Sequence, residues 1–303
     1  MRIAILVTHI RPEEKLLIAA FQAQGVEPEV ILDRDLDFDV VAGADQLAPN
    51  GVAWNEYDLV LERCVSTSRG LYAMAILNSW GIPTINRYET AAICADKLRT
   101  SIALAQHGVP QPATRVAFTP ESAMQSIEEL GYPAVLKPVT GSWGRLLAKV
   151  NGPQQAKALL EQKVTLGSYQ HALFYVQEYQ EKPGRDIRVF VVGDRVLAAS
   201  YRSADHWITN TARGASSSKC PITPQIEEIV LHACGSVGAR LAGVDLIETY
   251  DGYTVLEVNT GGEFHGLMTT TDVDIAGEIV DETMRIARAS AMHRLETIAT
   301  AGD

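Results

Sequence analysis

The chain has few cysteines and no long apolar run. Its four cysteines lie far apart and form no CxxC pair: Cys64, Cys94, Cys220 and Cys234. This spacing excludes a zinc-ribbon pattern and a disulfide framework, and it favours a reduced cytoplasm. The longest apolar runs have the length of a strand, far below the roughly 20 residues that span a membrane. The opening run, Met1–Val7, is too short for a signal peptide and predicts a buried strand.

An excess of positive charge is also absent. The 303 residues include 26 Lys and Arg against 37 Asp and Glu, a formal net charge of −11. This balance disfavours a nucleic-acid binder that acts through bulk charge, but it allows a local basic cleft for phosphates. Two glycine fingerprints are missing as well. No GxGxxG follows the first strand and no GxxxxGK[ST] occurs, so a dinucleotide-binding Rossmann site and a P-loop have little support.

Strand and helix signals alternate in the first part of the chain. Arg2–Val7 is apolar, and Pro12–Gly25 has helical spacing with proline near its start and glycine just past its end. The signals that follow are a strand over Asp58–Leu61, a helix over Arg69–Trp80 and a strand over Ile82–Asn86. This alternation predicts a small α/β domain with a parallel sheet, at residues 1–91.

The middle of the chain, residues 92–175, predicts an α+β unit. A long helix over Glu89–Gly108 leads into it. Its further elements are a helix over Pro120–Gly131, a strand over Tyr132–Pro138, a Gly-rich turn, a strand over Arg145–Val150 and a helix from about Pro153.

The last part, residues 176–303, begins within a predicted strand over Phe174–Gln180. Ile187–Val192 and Arg195–Tyr201 flank Gly193-Asp194, which is typical of a hairpin with a two-residue turn. Residues 202–223 are polar and predict a loop, whereas Pro224–Leu241 has amphipathic helical spacing.

Three polar residues interrupt apolar, strand-like sequence near the C-terminal end. Asp245 lies between Val244 and Leu246, and Glu257 and Asn259 follow twelve and fourteen residues later. A buried carboxylate is costly unless a cation compensates it, and hard oxygen ligands suit Mg²⁺. The alternative is a hairpin whose polar residues face water.

The loop of this hairpin decides whether the two acids can share a metal. A two-residue Asp251-Gly252 turn would pair Leu246 with Glu257 and separate the acids. A three-residue loop, 250–252, pairs Asp245 with Glu257 and predicts a positive φ at Gly252. We expect the second arrangement.

Two further segments could contact a nucleotide. A glycine-rich turn follows the strand that ends in Lys137-Pro138, and its glycines would let backbone amides approach phosphates. Its residues are Gly141, Ser142, Trp143, Gly144 and Arg145. The second segment is a strand with Gln177, Glu178 and Tyr179, and Asp186 follows it. This segment predicts a hinge whose backbone contacts the adenine, with Asp186 as acceptor for the ribose hydroxyls. Alternatively, the glycine-rich segment is only a tight turn, and the strand is an exposed sheet edge.

Three arginines surround a polar loop that contains Asn210. They are Arg188, Arg202 and Arg213, a set that could stabilise charge on a transferred phosphate.

The order of these features resembles the ATP-grasp ligases from about Ala92 to Ala289. That order is Lys97, Lys137 with its glycine-rich turn, the hinge, Asp186, Arg213, Asp245, Glu257 and Asn259. The resemblance implies an ATP-grasp fold behind an N-terminal α/β pre-ATP-grasp domain, with ATP and Mg²⁺ as cofactors. It implies that Lys97 and Lys137 contact phosphates and that Asp245, Glu257 and Asn259 hold one or two Mg²⁺ ions.

The chain is more closely similar to the LysX subgroup, near the RimK-type ligases. The segments that carry this similarity are 61–66, 137–139, 141–150, 177–179, 183–193 and 206–214. The resemblance implies an amide bond between the α-amino group of 2-aminoadipate or glutamate and the side chain of the C-terminal glutamate of LysW, a small acidic carrier protein. It implies a role in lysine or arginine biosynthesis, a homo-oligomer (dimer or tetramer) and no nucleic-acid or membrane partner.

Substrate contacts are expected from two regions. The candidates are Arg63, Ser66, Ser68, Asn86, Gly262, Glu263, Phe264, Gly266 and Leu267. In the family, aminoadipate-specific members carry Asn and then Ser or Thr after the Glu-Phe step, whereas glutamate-using members carry Gly-Phe. Gly266-Leu267 matches neither fully and is nearer the second, which predicts use of glutamate as well as, or instead of, 2-aminoadipate. An exposed basic patch with Arg63, Arg202 and Arg213 is expected to attract the acidic carrier.

The implied reaction has two steps, phosphorylation of a carboxylate by ATP and attack of an amine on the acyl phosphate. The enzyme would contribute positioning and charge neutralisation, and no nucleophilic Ser, Cys or His is needed. Two alternatives remain. One is a RimK-type ligase that adds glutamate to another protein, a peptide or a small molecule, and the other is a non-catalytic nucleotide-binding module.

Overall fold

The computed structural model describes residues 1–141, 145–167, 173–210 and 214–301. Within these ranges the chain forms three sheets, and no helix there is long and apolar enough to cross a membrane.

The first sheet is parallel, as the alternation of strands and helices predicts. Its four strands, in the order β2-β1-β3-β4, are β1 (Ile3–Val7), β2 (Glu29–Leu32), β3 (Leu59–Arg63) and β4 (Thr84–Ile85). Helices α1 (Pro12–Ala23) and α2 (Thr67–Ser79) connect successive strands. Strand β2 was missed in the sequence because its four residues, Glu-Val-Ile-Leu, are too few to show a period.

Two helices replace the single long helix that the sequence predicts over Glu89–Gly108. Helix α3 covers Tyr88–Cys94 and α4 covers Lys97–Gln106. The break occurs at Asp96, whose side chain accepts hydrogen bonds from the backbone amides of Leu98 and Arg99 and so caps α4. The cap makes Lys97 the first residue of a helix, and the Lys97 amide donates to the Val139 carbonyl at 2.8 Å.

The second sheet is antiparallel, with the order β5-β8-β6-β7. Its strands are β5 (Thr114–Ala117), β6 (Ala134–Lys137), β7 (Ala148–Val150) and β8 (Phe174–Glu178). Helices α5 (Pro120–Leu130) and α6 (Pro153–Leu166) accompany it, and each has proline in its first turn.

The third sheet is also antiparallel, with the order β11-β10-β9-β12-β13. Its strands are β9 (Arg185–Val192), β10 (Arg195–Ser203), β11 (Ser216–Lys219), β12 (Leu241–Thr249) and β13 (Gly252–Asn259). The helices of this part are α7 (Pro224–Val237), α8 (His265–Met268) and α9 (Ile275–Ala301). The predicted turn at Gly193-Asp194 is confirmed, since Val192 pairs with Arg195. The prediction of a loop over 202–223 is wrong at β11, an edge strand of Ser-Ser-Ser-Lys that has no apolar alternation to reveal it.

Both faces of β9 pack against apolar side chains, and one of the two faces joins the third sheet to the first. Ile187, Val189 and Val191 pack in a cluster with α7, whereas Phe190 and Val192 pack in a second cluster with β1, β3 and α9. Since each of these side chains is at most 3% exposed, the third sheet shares one core with the N-terminal sheet. The carboxyl ends of β1 and β3 are thereby held beside the loop that follows β13.

The hairpin of β12 and β13 pairs Asp245 with Glu257, as predicted, but by a different route. The loop has two residues, Tyr250 and Asp251, because Thr249 pairs with Gly252. A β-bulge at Leu256 then shifts the register by one residue, so that Leu246 pairs with Val255 and Asp245 with Glu257. The predicted loop length is wrong, whereas the positive φ at Gly252, +132°, is confirmed.

Candidate active site

A cavity of about 800 Å³ lies where the three sheets meet, a volume within the usual range for small-molecule sites. It is lined by residues from the ends of β3, α2, α4, β6, β8, β9, β12 and β13. Many of the candidate residues identified in the sequence line it: Ser68, Lys97, Lys137, Gly141, Arg145, Gln177, Glu178, Tyr179, Asp186, Arg188, Arg202, Asn210, Asp245, Glu257, Asn259, Gly262 and Glu263.

Two lysines lie at the glycine-rich end of the cavity. Lys97 Nζ donates to the Gly141 carbonyl at 2.8 Å and lies 3.0 Å from Glu257 Oε1. Lys137, at the end of β6, donates through Nζ to Gln177 Oε1 at 2.5 Å. Burial lowers the pKa of Lys137 to about 8, although the charge of Glu257 acts in the opposite direction. Both ammonium groups are therefore positioned for anionic oxygens.

The glycine-rich turn is described only at its two ends. Gly141 has a φ of +137°, which L side chains rarely adopt, and Arg145 is exposed at the mouth of the cavity. Ser142, Trp143 and Gly144 lie outside the described residues, as does Arg213.

The predicted adenine hinge lies at the edge where β8 ends. The Glu178 backbone amide donates to the Ala113 carbonyl at 2.8 Å. Beyond it, the Tyr179 ring has Lys149 Nζ 3.6 Å from its centroid, a cation–π contact. Trp207 meets the same ring edge-on, with centroids 6.3 Å apart. Both rings line the cavity and give this edge a partly apolar surface on which a planar base could stack.

Asp186 is buried and already has protein partners. Its Oδ1 accepts from Arg202 Nε at 2.7 Å, and its Oδ2 accepts from Thr209 Oγ1. Lys182 Nζ donates to Thr209 Oγ1 at 2.7 Å and lies 3.7 Å from Asp186. Neither Lys182 nor Thr209 was predicted as a site residue, although the turn before Pro183 places a lysine four residues ahead of Asp186.

The two acids of the hairpin are neutralised by three cations. Asp245 Oδ1 lies 2.8 Å from Arg188 Nε and 3.1 Å from Arg202 Nη2, and Glu257 pairs with Lys97. Arg188 reaches Asp245 because β9 pairs with β12 in a register that sets the two residues opposite each other. Gly243 leaves space for that guanidinium, since a Cβ there would lie 2.3 Å from Arg188 Nη1.

The donor set suits a hard divalent cation. Asp245 and Glu257 supply carboxylate oxygens from neighbouring strands, and Asn259, two residues beyond Glu257, supplies an amide whose buried nitrogen has no hydrogen-bond partner. Among the residues that the structure describes, no three His, Cys, Asp or Glu side chains cluster around a common point. Two carboxylates and an amide would leave positions for phosphate oxygens and water, the coordination that Mg²⁺ prefers.

Arg63 and Asn86, expected at the substrate, are buried away from the cavity. The Arg63 guanidinium donates to Glu14 Oε1 at 3.1 Å and to the carbonyls of Gly261 and Gly262 at 2.8 and 2.7 Å. The Asn86 amide bonds the backbone of Leu241 through both its oxygen and its nitrogen. These contacts join the N-terminal sheet to the loop after β13.

The remaining substrate candidates are not among the residues that line the cavity. Phe264 and Leu267 are 1% and 2% exposed, and Gly266 belongs to α8. Ser66 precedes α2, with its hydroxyl 3.5 Å from that of Ser68. The expected carrier-binding patch is wrong for two of its members, because Arg63 and Arg202 are only 1% and 5% exposed.

Comparison with known families decides what this arrangement belongs to. Residues 94–283 match the model of the RimK-like ATP-grasp domain, and residues 3–93 match that of the LysX preATP-grasp domain. The chain belongs to the RimK-like ATP-grasp family. The predicted fold class and the prediction of an ATP-grasp ligase are confirmed.

Individual ATP-grasp proteins match along nearly the whole chain. A glutamate–LysW ligase, ArgX, from Sulfolobus acidocaldarius is 32% identical over 92% of this chain and 97% of its own length. An α-aminoadipate–LysW ligase, LysX, from Saccharolobus solfataricus is 34% identical over 90% and 97%. The crystal structure of a RimK domain ATP-grasp protein from Sphaerobacter thermophilus superposes with a TM-score of 0.75 at 28% identity, covering 93% of this chain and 99% of that one.

Proposed function

We propose that this protein joins the α-amino group of glutamate or 2-aminoadipate to the side-chain carboxylate of the C-terminal glutamate of a LysW-type carrier protein, with consumption of ATP. The observation that carries the proposal is the pairing of Asp245 with Glu257 beside Lys97, in a cavity that Lys137 also lines. The similarity to ArgX and LysX supports a carrier of the LysW type and a role in lysine or arginine biosynthesis.

ATP would lie between the second and third sheets. The hinge at Gln177, Glu178 and Tyr179 would hold the adenine, and Lys97 and Lys137 would contact the phosphates. Mg²⁺ held by Asp245, Glu257 and Asn259 would neutralise phosphate charge during transfer. Each of these acids and lysines lines the same cavity, so the roles require no rearrangement of the strands.

Binding of metal and nucleotide would replace ion pairs within the protein by ion pairs with the ligands. In the structure Lys97 neutralises Glu257, and Arg188 neutralises Asp245. When metal and phosphates bind together, the cation compensates the acids and the phosphates compensate the lysine and the arginine. Buried charges thus stay compensated in both states, which avoids the cost of an unpaired charge.

The chemistry follows from the poor electrophilicity of a carboxylate. Its oxygen attacks the γ-phosphorus of ATP, the bond to ADP breaks, and an acyl phosphate forms. The amine nitrogen then attacks the carbonyl carbon and phosphate leaves. Arg188 and Arg202, which both pair with Asp245, together with Asn210 of the cavity lining would stabilise the transferring group.

For the amino acid we propose glutamate as well as, or instead of, 2-aminoadipate. Gly266-Leu267 is nearer the glutamate-type pattern, and ArgX is a glutamate ligase. Leu267 belongs to the core behind the loop that carries Gly262 and Glu263, both of which line the cavity. The size of the Leu267 side chain would therefore affect how the loop with Gly262 and Glu263 packs against the side chain of the bound amino acid.

The test is ligation with purified components. Enzyme, ATP and Mg²⁺ are incubated with a carrier that ends in glutamate and with equal amounts of glutamate and 2-aminoadipate, and intact mass identifies the product. We expect one adduct per carrier, formed mainly from glutamate, and none on a carrier whose terminal glutamate is replaced by glutamine. Amino-acid-dependent ADP release without a carrier would support a RimK-type ligase instead. Absence of any ATP turnover would support a non-catalytic module.

A further inference from the structure

Glu62 carries a carboxylate that no cation contacts among the residues that the structure describes. It is the fourth residue of β3, and the other four residues of that strand are fully buried. Its Oε1 accepts a hydrogen bond from the Cys64 backbone amide at 2.7 Å. Within the described part of the chain, no Lys, Arg or His nitrogen lies within 4.0 Å of the Glu62 carboxylate.

The carboxylate occupies a slot between β3 and α2. A Cβ at Gly70, in the second turn of α2, would lie 2.5 Å from Glu62 Oε1 and 3.1 Å from its Cδ. Glycine at this position therefore gives the carboxylate its space, and Glu62 lines the cavity. Burial is the main cause that raises the pKa of Glu62, which means that its charge is poorly compensated.

The neighbouring Glu14, in contrast, has two cationic partners. Glu14 is fully buried and pairs with Arg11 at 2.8 Å and with Arg63 at 3.0 Å. The Arg63 side chain leaves β3 on the opposite side from Glu62, because successive residues of a strand alternate. Of these two carboxylates, the one that faces the cavity is thus the one without a cationic partner.

Among the reactants of the proposed reaction, one group has the required charge. ATP, the carrier carboxylate and the carboxylates of the amino acid are all anionic, whereas the α-ammonium group is cationic. Magnesium would be compensated at the far end of the cavity by Asp245 and Glu257. An ammonium group in contact with Glu62 would offset the desolvation of both charges.

We propose that Glu62 binds the α-ammonium group of the amino-acid substrate and accepts its proton. This inference rests on the proposed function. One N–H bond breaks, the proton joins a Glu62 oxygen, and a neutral amine remains. Its lone pair forms the C–N bond with the carbonyl carbon of the acyl phosphate as the C–O bond to phosphate breaks. The second proton passes from nitrogen to the departing phosphate.

The first test is independent of the carrier. Binding of glutamate and of glutarate, which has the same carbon chain without the ammonium group, is measured calorimetrically with Mg²⁺ and a non-hydrolysable ATP analogue present. We expect the wild type to bind glutamate at least 10-fold more tightly than glutarate, about 1.4 kcal/mol. Glu62→Gln, which keeps the bond from the Cys64 amide, should bind both equally. A preference retained by Glu62→Gln, or absent from the wild type, overturns the proposal.

The second test separates the amine from the acyl phosphate. Hydroxylamine is uncharged near neutral pH and traps acyl phosphates as hydroxamates without the need to lose an ammonium proton. In Glu62→Gln we expect the KM for glutamate to rise at least 10-fold and kcat to fall, whereas hydroxamate formation stays within about twofold of the wild type. Equal losses with both nucleophiles would assign Glu62 a structural role and contradict the proposal.

Gly70→Ala is the matched variant, since it displaces the carboxylate without removing its charge. The added methyl group meets the end of a flexible side chain, so the fold should persist, as an unfolding curve would check. We expect the KM for glutamate to rise, as in Glu62→Gln, but by a smaller factor. Failure of the proposed function would appear separately, as absence of a carrier adduct in the wild type while the preference for glutamate over glutarate remains.

Discussion

Two arginines of similar burial, Arg63 and Arg202, differ in what surrounds them. Arg63 is 1% exposed and bonds Glu14 and two backbone carbonyls, those of Gly261 and Gly262. Arg202 is 5% exposed and pairs with Asp186 at 2.7 Å and Asp245 at 3.1 Å. Of the Arg63 partners, Glu14 is enclosed by the core and the two glycines belong to the loop after β13, whereas both acids that pair with Arg202 line the cavity.

The electrostatics of the two regions reflect this difference. Burial alone would raise the pKa of Glu14, but the hydrogen bond from Arg11 and the charge of Arg63 hold that pKa below its usual value. Burial likewise opposes the charge of Arg202, yet Asp245 and Asp186 raise its pKa. The interior pair joins β3 to α1, and Arg63 also bonds the loop after β13. For the cavity acids we propose an exchange of arginine for a metal ion, and this distinction is open to direct test.

The largest expected effect is on catalysis, in Glu257→Gln. The substitution keeps the side-chain volume and removes one metal-binding charge, so we expect kcat to fall on the order of 10³-fold. The free energy of unfolding should change by less than about 1 kcal/mol, because the pair with Lys97 is partly exposed. Glu248→Gln, on the same hairpin but bound to Arg185, is the control and should ligate normally. Near-wild-type ADP release by Glu257→Gln would refute the metal assignment.

The interior pair, Arg63 with Glu14, should affect the free energy of unfolding strongly and catalysis little. Arg63→Met leaves Glu14 buried beside a single remaining arginine, and we expect a loss of about 3–5 kcal/mol in the free energy of unfolding. Adding Glu14→Gln should restore part of it, since the uncompensated charge is then removed. Denaturant unfolding measures both variants, and kcat at low temperature should stay within a few-fold of the wild type. Equal destabilisation of the single and double variants would mean that the Arg63 contacts with backbone, rather than the ion pair, stabilise this region.

Much of the fold could be predicted because its signals are local. Apolar runs with glycine and proline at their ends correctly predicted the parallel sheet and the turn at Gly193-Asp194. The pairing of Asp245 with Glu257 was also predicted, but from a loop length that is wrong. The misses are elements whose cause is not local. The helix break at Asp96 depends on a cap and on contact with Val139, and the bulge at Leu256 cannot be seen in a period-2 pattern.

The site was predicted in part for the same reason. Lysines and acids at recognisable positions could be collected from the sequence, and the structure brings Lys97 and Glu257 within 3.0 Å across 160 residues. Buried and cavity-facing arginines look alike in sequence, so Arg63 could not be told from Arg188. Gly70 and Gly243 were missed because the side chains that need their space, Glu62 and Arg188, lie in other elements.

A smaller effect is expected from the titration of Lys137. With its pKa near 8, this lysine is mostly charged at pH 7 and mostly neutral at pH 9. If bound phosphates keep it charged, affinity for an ATP analogue should fall about 10-fold over that interval, because binding must then also supply a proton. Lys137→Gln should bind more weakly at pH 7 and show a flatter profile. The same slope in wild type and variant would assign the titration to another group.

The smallest effect is expected at an ion pair outside both regions. Arg185 on β9 lies 2.7 Å from Glu248 on β12, and its guanidinium stacks 3.8 Å from the Tyr201 ring centroid. Both charged side chains are partly exposed, at 37% and 24%, so water screens them and competes for their hydrogen bonds. Arg185→Gln should therefore cost less than about 1 kcal/mol of unfolding free energy and leave ligation unchanged. Chemical denaturation at low and high salt measures this, and the difference between variant and wild type should shrink as salt rises. A loss of unfolding free energy as large as that of Arg63→Met would show that burial does not explain the difference between Arg185 and Arg63. The contrast between the interior pair and the cavity network would then be wrong as well.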